Sequence, residues 1–130
     1  MFFFDSGNHR VRRISAGTIS TVVGNGSAGF SGDGGAATAA SIDFIAQLAL
    51  DGSGNLYLAD SNQRRVRKVT GGTITTVAGN GSATFSGDGG AATSAGLDSV
   101  GGITVDNSGS LYLSSKTLVR KVTSGTITTM

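Results

Sequence analysis

Two glycine-rich segments contain the carboxylates best placed for ion chemistry. Asp33 stands in Ser31-Gly-Asp-Gly-Gly35, and Asp88 stands in the same five-residue motif one repeat later. Successive glycines can present backbone N–H groups to an anion, and an aspartate can bind a cation. One carboxylate per loop supplies few of the roughly six to eight oxygens that calcium takes. Asp33 and Asp88 are therefore weak metal candidates, and the alternative is that each caps a turn.

Side chains for catalysis are scarce. His9 is the single histidine, and the sequence has no cysteine and no glutamate. A multi-histidine or thiolate metal centre therefore cannot form within one copy of the chain. We expect a protein that is not an enzyme, with no catalytic residues and no cofactor, in which His9 is a polar turn residue or contacts a partner.

Basic side chains are clustered, although the net charge is only +2. They fall in three short runs: Arg10, Arg12 and Arg13; Arg64, Arg65, Arg67 and Lys68; Lys116, Arg120 and Lys121. His9, Arg10, Arg64 and Arg65 lie at or beside predicted turns, where they could form a basic patch for RNA or another polyanion. Aromatic residues are few, so no platform for stacking bases is evident.

A structural role is the alternative for the same basic residues. Arginine stems can cover apolar sheet edges while the guanidinium groups stay polar. The nearest predicted partners are Asp5, Asp60 and their neighbours. Between the two interpretations we favour this one, with polyanion binding retained as an alternative.

The positions of all these residues follow from an internal repeat. A shift of 55 residues places 5–59 on 60–114 without a gap, with 32 identical positions. A third, shorter copy begins at Leu111-Tyr-Leu113. Recurrence of this kind predicts an array of similar units, each of which buries its apolar faces against its neighbours.

Each unit is predicted to hold short antiparallel strands. The chain has 22 glycines, no proline and many Thr, Val and Ile residues, which favour strands joined by tight turns. The predicted strands are 2–4, 10–14, 18–23, 45–50, 56–60, 65–69, 73–78, 100–105, 111–114, 118–122 and 126–129. Four strands followed by one long connection are typical of a propeller blade. The long segment 24–43 returns almost unchanged, which predicts an ordered loop.

Several segments resemble the NHL repeat. Asn8 and His9, followed by Val11 in the leucine place, match the motif that gives the repeat its name. The long bacterial form of the repeat is similar to Asp51-Gly-Ser-Gly-Asn-Leu-Tyr-Leu-Ala-Asp60, Thr73-Ile-Thr-Thr-Val-Ala-Gly79 and Phe85-Ser-Gly-Asp-Gly-Gly90. The second unit has Gln63-Arg64 instead of Asn-His, and the third loses the motif at Lys116-Thr-Leu118. The resemblance covers the whole chain and implies a propeller, usually six-bladed, without specifying an activity.

The fold prediction is therefore an all-β arc of a β-propeller with two full four-stranded blades and a three-stranded one. The chain divides into 1–43 (partial blade and long loop), 44–98 (full blade and long loop) and 99–130 (full blade). Such an arc leaves two sheet faces uncovered, and exposed apolar faces tend to associate. We expect a homo-oligomer formed through these open flanks, or a segment of a larger six-bladed ring.

The function that we expect is a non-enzymatic interaction scaffold that binds a protein or other macromolecule through the loop face. Candidate contacts are His9, Arg10, Arg64, Arg65, Phe30 and Phe85, the two phenylalanines either anchoring the long loops or touching a ligand. The alternatives are a polyanion-binding propeller, an enzyme and a purely structural product of repeat amplification. The enzyme would be lyase- or lactonase-like, with a site completed across subunits. The propeller lyases and lactonases that this architecture resembles bind a metal through His and Glu residues, and those residues are missing here, which counts against an enzyme. No stretch is predicted to span a membrane, and nothing indicates a cellular compartment.

Overall fold

Eleven short strands form the framework of the fold. The computed structural model describes all 130 residues. The strands are β1 (Phe2–Asp5), β2 (Arg10–Ser15), β3 (Thr18–Val23), β4 (Ile45–Leu50), β5 (Leu56–Asp60), β6 (Arg65–Thr70), β7 (Thr73–Ala78), β8 (Ile103–Val105), β9 (Leu111–Ser114), β10 (Val119–Thr123) and β11 (Thr126–Thr129). Single 3₁₀ turns lie at Ser6–Asn8, Ala37–Ala39 and Ala92–Ser94. No helix is long and apolar enough to cross a membrane.

The strands form three antiparallel sheets in chain order. The first sheet is β1-β2-β3, the second is β4-β5-β6-β7 and the third is β8-β9-β10-β11. Within each sheet, every strand pairs with the next one along the chain, as tight turns dictate. The prediction of an all-β propeller arc, with one three-stranded and two four-stranded sheets, is confirmed.

One predicted strand is shorter than expected. The sequence predicts 100–105, whereas β8 begins at Ile103. The Gly102 N–H donates to the hydroxyl of Ser114, and the Ile103 N–H donates to Oε1 of Gln47 in the second sheet, at 2.9 Å each. Gly101 and Gly102 still exchange backbone hydrogen bonds with Ser114, so pairing continues there in an irregular register, as glycines within a strand often mark.

Apolar residues pack between the sheets in two cores. In β5, Leu56 and Leu58 join the core shared with the first sheet, which includes Val11. Tyr57 and Ala59 join the core shared with the third sheet. Successive side chains of a strand point to opposite faces, so in a middle sheet with both faces covered every position of β5 is buried, including the charged Asp60 at its end.

The long loops add an extra pairing to the outer strand of the next sheet. The Gly34 N–H donates to the carbonyl of Ile74, and the Ile74 N–H donates to the carbonyl of Gly35. The same two hydrogen bonds recur between Gly89, Gly90 and Ile127. The loops are therefore ordered, as the repeat predicts, and they cover the outer strands β7 and β11.

Because the first long loop covers Ile74, this side chain should contribute strongly to the free energy of unfolding. Ile74 is 0% exposed, whereas Ile19, its equivalent in β3, is 59% exposed. We expect Ile74→Ala to lower the free energy of unfolding by about 2–4 kcal/mol, because a cavity replaces buried methyl groups. Ile19→Ala is the matched control and should cost less than about 1 kcal/mol. Urea denaturation of both variants checks this, and equal losses would contradict it.

Asp106 closes the tight turn between β8 and β9. Its Oδ1 accepts the hydroxyl of Ser108 at 2.7 Å and the backbone N–H of Ser110 at 2.9 Å. Its Oδ2 accepts the hydroxyl of Tyr112 at 3.0 Å. The Ser108 hydroxyl contributes most to lowering the pKa of Asp106 to about 2 from its ordinary 3.8, since these donors stabilise the carboxylate.

The lowered pKa of Asp106 predicts an acid-sensitive turn. The carboxylate should stabilise the folded state fully above pH 3.8, and this contribution should be lost as pH falls through about 2. Carboxyl ¹³C NMR should show Asp106 titrating at about 2. In Ser108→Ala the pKa should rise toward 3.8. A pKa near 3.8 in the unmodified protein would contradict the prediction.

Candidate interaction site on the loop face

Arg67 holds the first long loop on the second sheet. Its guanidinium is 0% exposed, and Nη2 lies 2.8 Å from Oδ1 of Asp33. It also donates to the carbonyl of Ser41 at 2.8 Å and to the carbonyl of Ser31 at 2.7 Å. Asp33 additionally accepts the backbone N–H of Thr76 at 3.2 Å. The Asp33 carboxylate, considered above as a cation ligand, therefore binds a guanidinium and Thr76.

The same arrangement recurs on the third sheet. Arg120 is buried, and its Nη2 lies 2.7 Å from Oδ1 of Asp88. It donates to the carbonyl of Gly96 at 3.0 Å and to the carbonyl of Ser86 at 2.9 Å. Asp88 is thus also engaged by an arginine. No group of three or more His, Cys, Asp or Glu side chains lies close enough to hold a metal ion.

The predicted partners of the arginines are only partly right. Arg12 does pair with Asp5, at 3.2 Å. Arg67 and Arg120 pair instead with aspartates of the preceding loop, and Asp60 accepts the backbone N–H groups of Asp43 at 3.0 Å and Gln63 at 3.3 Å. Burial raises the pKa of Asp60 despite these two donors.

The sequence did not lead us to expect that Arg67 and Arg120 hold the long loops on the sheets. The sequence does contain a signal. Each glycine-rich loop with an aspartate is followed, in the next unit, by an arginine at the second position of the Val-Arg-Lys-Val motif. A repeated ion pair requires an acidic and a basic residue at matching positions of both units, and the sequence has both.

Phe30 and Phe85 are stacked under arginines and still reach solvent. The Arg65 guanidinium carbon lies 3.8 Å from the ring centroid of Phe30, and that of Arg67 lies 4.8 Å away. Arg120 lies 4.4 Å from the centroid of Phe85. The rings are 38% and 39% exposed. Both phenylalanines therefore anchor their loops and present part of the ring at the surface.

A shallow hollow of about 390 Å³ opens between the two long loops. Its lining combines an aromatic ring, a guanidinium, a carboxylate and threonine hydroxyls. The residues are Phe30, Asp33, Arg65, Thr76, Gly79, Asn80 and Thr93. Of the sequence-predicted contacts, the structure brings Phe30 and Arg65 together here.

His9 and Arg64 end the two turns that precede β2 and β6, and Arg10 and Arg65 are the first residues of those strands. His9 and Arg64 share the left-handed backbone conformation, with φ of 48° and 51°. Nδ1 of His9 lies 3.3 Å from the carbonyl oxygen of Asp43. These turns and the ends of the long loops share one side of the molecule, which we call the loop face.

Most basic side chains are engaged within the protein. Arg10 donates to the carbonyl of Asn25 at 3.2 Å, and Arg65 donates to that of Asn80 at 3.0 Å. Three others lie over aromatic rings of the neighbouring strand, namely Arg13 on Phe2, Lys68 on Tyr57 and Lys121 on Tyr112. Arg64 and Lys116 are the basic residues outside these contacts. Only Arg12, Arg67 and Arg120 pair with aspartates, so the other basic side chains keep their positive charge, although contacts within the protein hold most of them in place.

Stacked antiparallel sheets joined by long outer loops define a segment of a β-propeller. The chain is similar in structure to a protein of unknown function from Bacteroides thetaiotaomicron VPI-5482, with a TM-score of 0.77 and 20% identity over 99% of this chain and 32% of that one. It is also similar to virginiamycin B lyase from Staphylococcus aureus, with a TM-score of 0.59 and 18% identity over 99% of this chain and 36% of the lyase.

These likenesses establish the fold alone, because both identities are low. The chain spans about a third of the length of each of the two proteins. No family model matches the chain. No curated protein sequence matches it.

Proposed function

We propose that this chain is a non-enzymatic interaction module that binds a protein or other macromolecule at the hollow on its loop face. The observation that carries the proposal is the exposed Phe30 ring stacked on Arg65 at the edge of that hollow. Aromatic and arginine side chains are the types that dominate binding energy at protein interfaces. A surface with one guanidinium, one carboxylate and two threonine hydroxyls suits a polar partner segment.

Rigidity of the loops supports the same function. The buried ion pair of Arg67 with Asp33 and the backbone pairing of Gly34 with Ile74 hold Phe30 and its neighbours in place before a partner arrives. A preorganised surface loses less conformational entropy on binding. The donors that hold the loop point inward, so its outer side remains available for contacts.

The family resemblance and the open sheet faces extend the proposal. We propose that the chain is an NHL-type propeller segment, on the strength of Asn8, His9 and the Ser-Gly-Asp-Gly-Gly loops. Ile19 on the first sheet and Val119 on the third are exposed on the two outer flanks. We propose that these flanks mediate self-association, which light scattering would detect as a mass above that of one 12.9 kDa chain.

An affinity experiment with matched aromatic variants tests binding at the hollow. Immobilised unmodified protein, Phe30→Ala and Phe44→Ala would be exposed to an extract of the source cells, and retained proteins quantified by mass spectrometry. Phe44 is 50% exposed but does not line the hollow, so its variant is the control. We expect a partner retained by the unmodified protein and Phe44→Ala and reduced at least tenfold by Phe30→Ala. Identical retention by all three would overturn the proposal.

A further inference from the structure

The two long loops share their main docking contacts, namely the backbone pairing, the Asp–Arg ion pair and a phenylalanine under an arginine, although Leu118 replaces Arg65 on the third sheet. On the second sheet, the loop pairs with Ile74, its aspartate binds Arg67, and Phe30 lies between Arg65 and Arg67. The Thr76 hydroxyl also donates to Asp33, at 2.5 Å. Arg65, Arg67, Ile74 and Thr76, on β6 and β7, make these contacts, and we call them the recognition set for one loop.

The first sheet has the same recognition set without a loop on it. A shift of 55 residues places Arg10, Arg12, Ile19 and Thr21 on Arg65, Arg67, Ile74 and Thr76. We call these four residues the open edge site. Ile19 is 59% exposed, whereas Ile74 is 0% exposed beneath its loop. The Arg12 side chain is 25% exposed, against 0% for Arg67.

The open edge site is already arranged for an incoming loop. Arg10 donates to the carbonyl of Asn25 in the same way that Arg65 donates to that of Asn80, so its guanidinium has the pose that stacks on Phe30 in the second sheet. Nε of Arg12 lies 3.2 Å from Asp5, and Nη1 donates to the hydroxyl of Thr21 at 2.8 Å. Asp5 has a second donor in Asn8, at 3.0 Å, so Arg12 can turn to another carboxylate without leaving Asp5 unpaired.

The outer strand β3 also has its backbone available. Ile74 exchanges two backbone hydrogen bonds with Gly34 and Gly35, whereas Ile19 exchanges none with any loop. An exposed strand edge of this kind accepts an extended segment, with the main chain supplying affinity and the side chains supplying specificity.

We propose that the open edge site binds a further copy of the Phe-Ser-Gly-Asp-Gly-Gly-Ala-Ala segment, carried by a neighbouring propeller repeat. The incoming backbone pairs with Ile19, its aspartate binds Arg12 and Thr21, and its phenylalanine stacks on Arg10. Charge complementarity and the two occupied copies of the site commit the proposal to this occupant. This surface is separate from the hollow on the loop face, so either proposal can fail without the other.

A labelled peptide with the sequence of residues 28–43 tests the proposal on the full chain. We expect saturable binding with one peptide per chain, measured by fluorescence anisotropy, and an affinity reduced at least tenfold for Arg12→Ala and for Ile19→Ala. A peptide with Asp33→Asn should also bind at least tenfold more weakly. Arg13→Ala is the control, because Arg13 lies over Phe2 and outside the site, and it should bind within about twofold of the unmodified protein.

Amide NMR shifts identify the strand that receives the peptide. Perturbation of Ile19 and Thr21 but not of Ile74 and Thr76 supports the open edge site. Equal affinity for Arg12→Ala and the unmodified protein, or shifts at Ile74 through displacement of the resident loop, would overturn it. Self-association that Ile19→Ala abolishes but saturating peptide does not inhibit would assign the face to a second copy and would also overturn the proposal.

Discussion

Arg67→Met is expected to lower the free energy of unfolding by about 3 kcal/mol. The substitution removes a buried guanidinium and leaves the carbonyls of Ser31 and Ser41 and the carboxylate of Asp33 without their donor. Removing one partner of a buried ion pair typically costs about 3–5 kcal/mol. Asp33 is 34% exposed, so water can solvate part of its charge and the loss should fall at the lower end.

Arg12→Met is the matched control for Arg67→Met. Both arginines occupy the same strand position after a valine and before a basic residue, but Arg12 is partly exposed and pairs with a partly exposed Asp5. Exposed pairs contribute up to about 1 kcal/mol, so the control should lose no more than that. Urea denaturation of both variants measures the difference. Losses of the same size would show that the loop contributes little to the environment of Arg67.

Gly79→Ala is expected to destabilise the fold by about 3 kcal/mol. Gly79 follows β7 with φ of 92°, and an added Cβ would overlap the carbonyl oxygen of Arg64 and approach Cδ1 of Leu97 at 2.9 Å. The left-handed backbone costs an L-residue about 1–2 kcal/mol, and overpacking typically costs about 1–3 kcal/mol. The two costs add because the Arg64 carbonyl belongs to a tight turn that cannot move away freely.

Gly71→Ala separates the backbone cost from the steric one. Gly71 also has a positive φ, of 55°, but a Cβ there would meet no atom within 4 Å. We expect a loss of about 1 kcal/mol, from the backbone conformation alone. Thermal and urea unfolding of the two variants give the comparison. If Gly79→Ala lowered the free energy of unfolding no more than Gly71→Ala, the close contact between residue 79 and the Arg64 carbonyl would be contradicted.

Corresponding positions of the first and second sheets show how similar local sequence can acquire different roles. Arg12 and Arg67 both follow a valine in the second-last strand of a sheet, and Ile19 and Ile74 both follow Thr in the last strand. Local propensity places all four on strands. Whether each one is buried depends on whether a loop from a preceding unit lies over it, and that contact joins Arg67 to Asp33 across 34 residues of chain.

The sequence by itself determined the strands, their order, the ordered state of the long loops and the propeller class. Strand alternation, glycine turns and a 55-residue recurrence are local or periodic signals, so they do not depend on what the sheets pack against. Only the tertiary structure decided that Asp33 and Asp88 bind buried arginines, that Phe30 meets Arg65 at a hollow, and that the site around Ile19 is open. Those facts depend on which faces of separate units come together, and burial and ion pairing change with that packing while the residues stay the same.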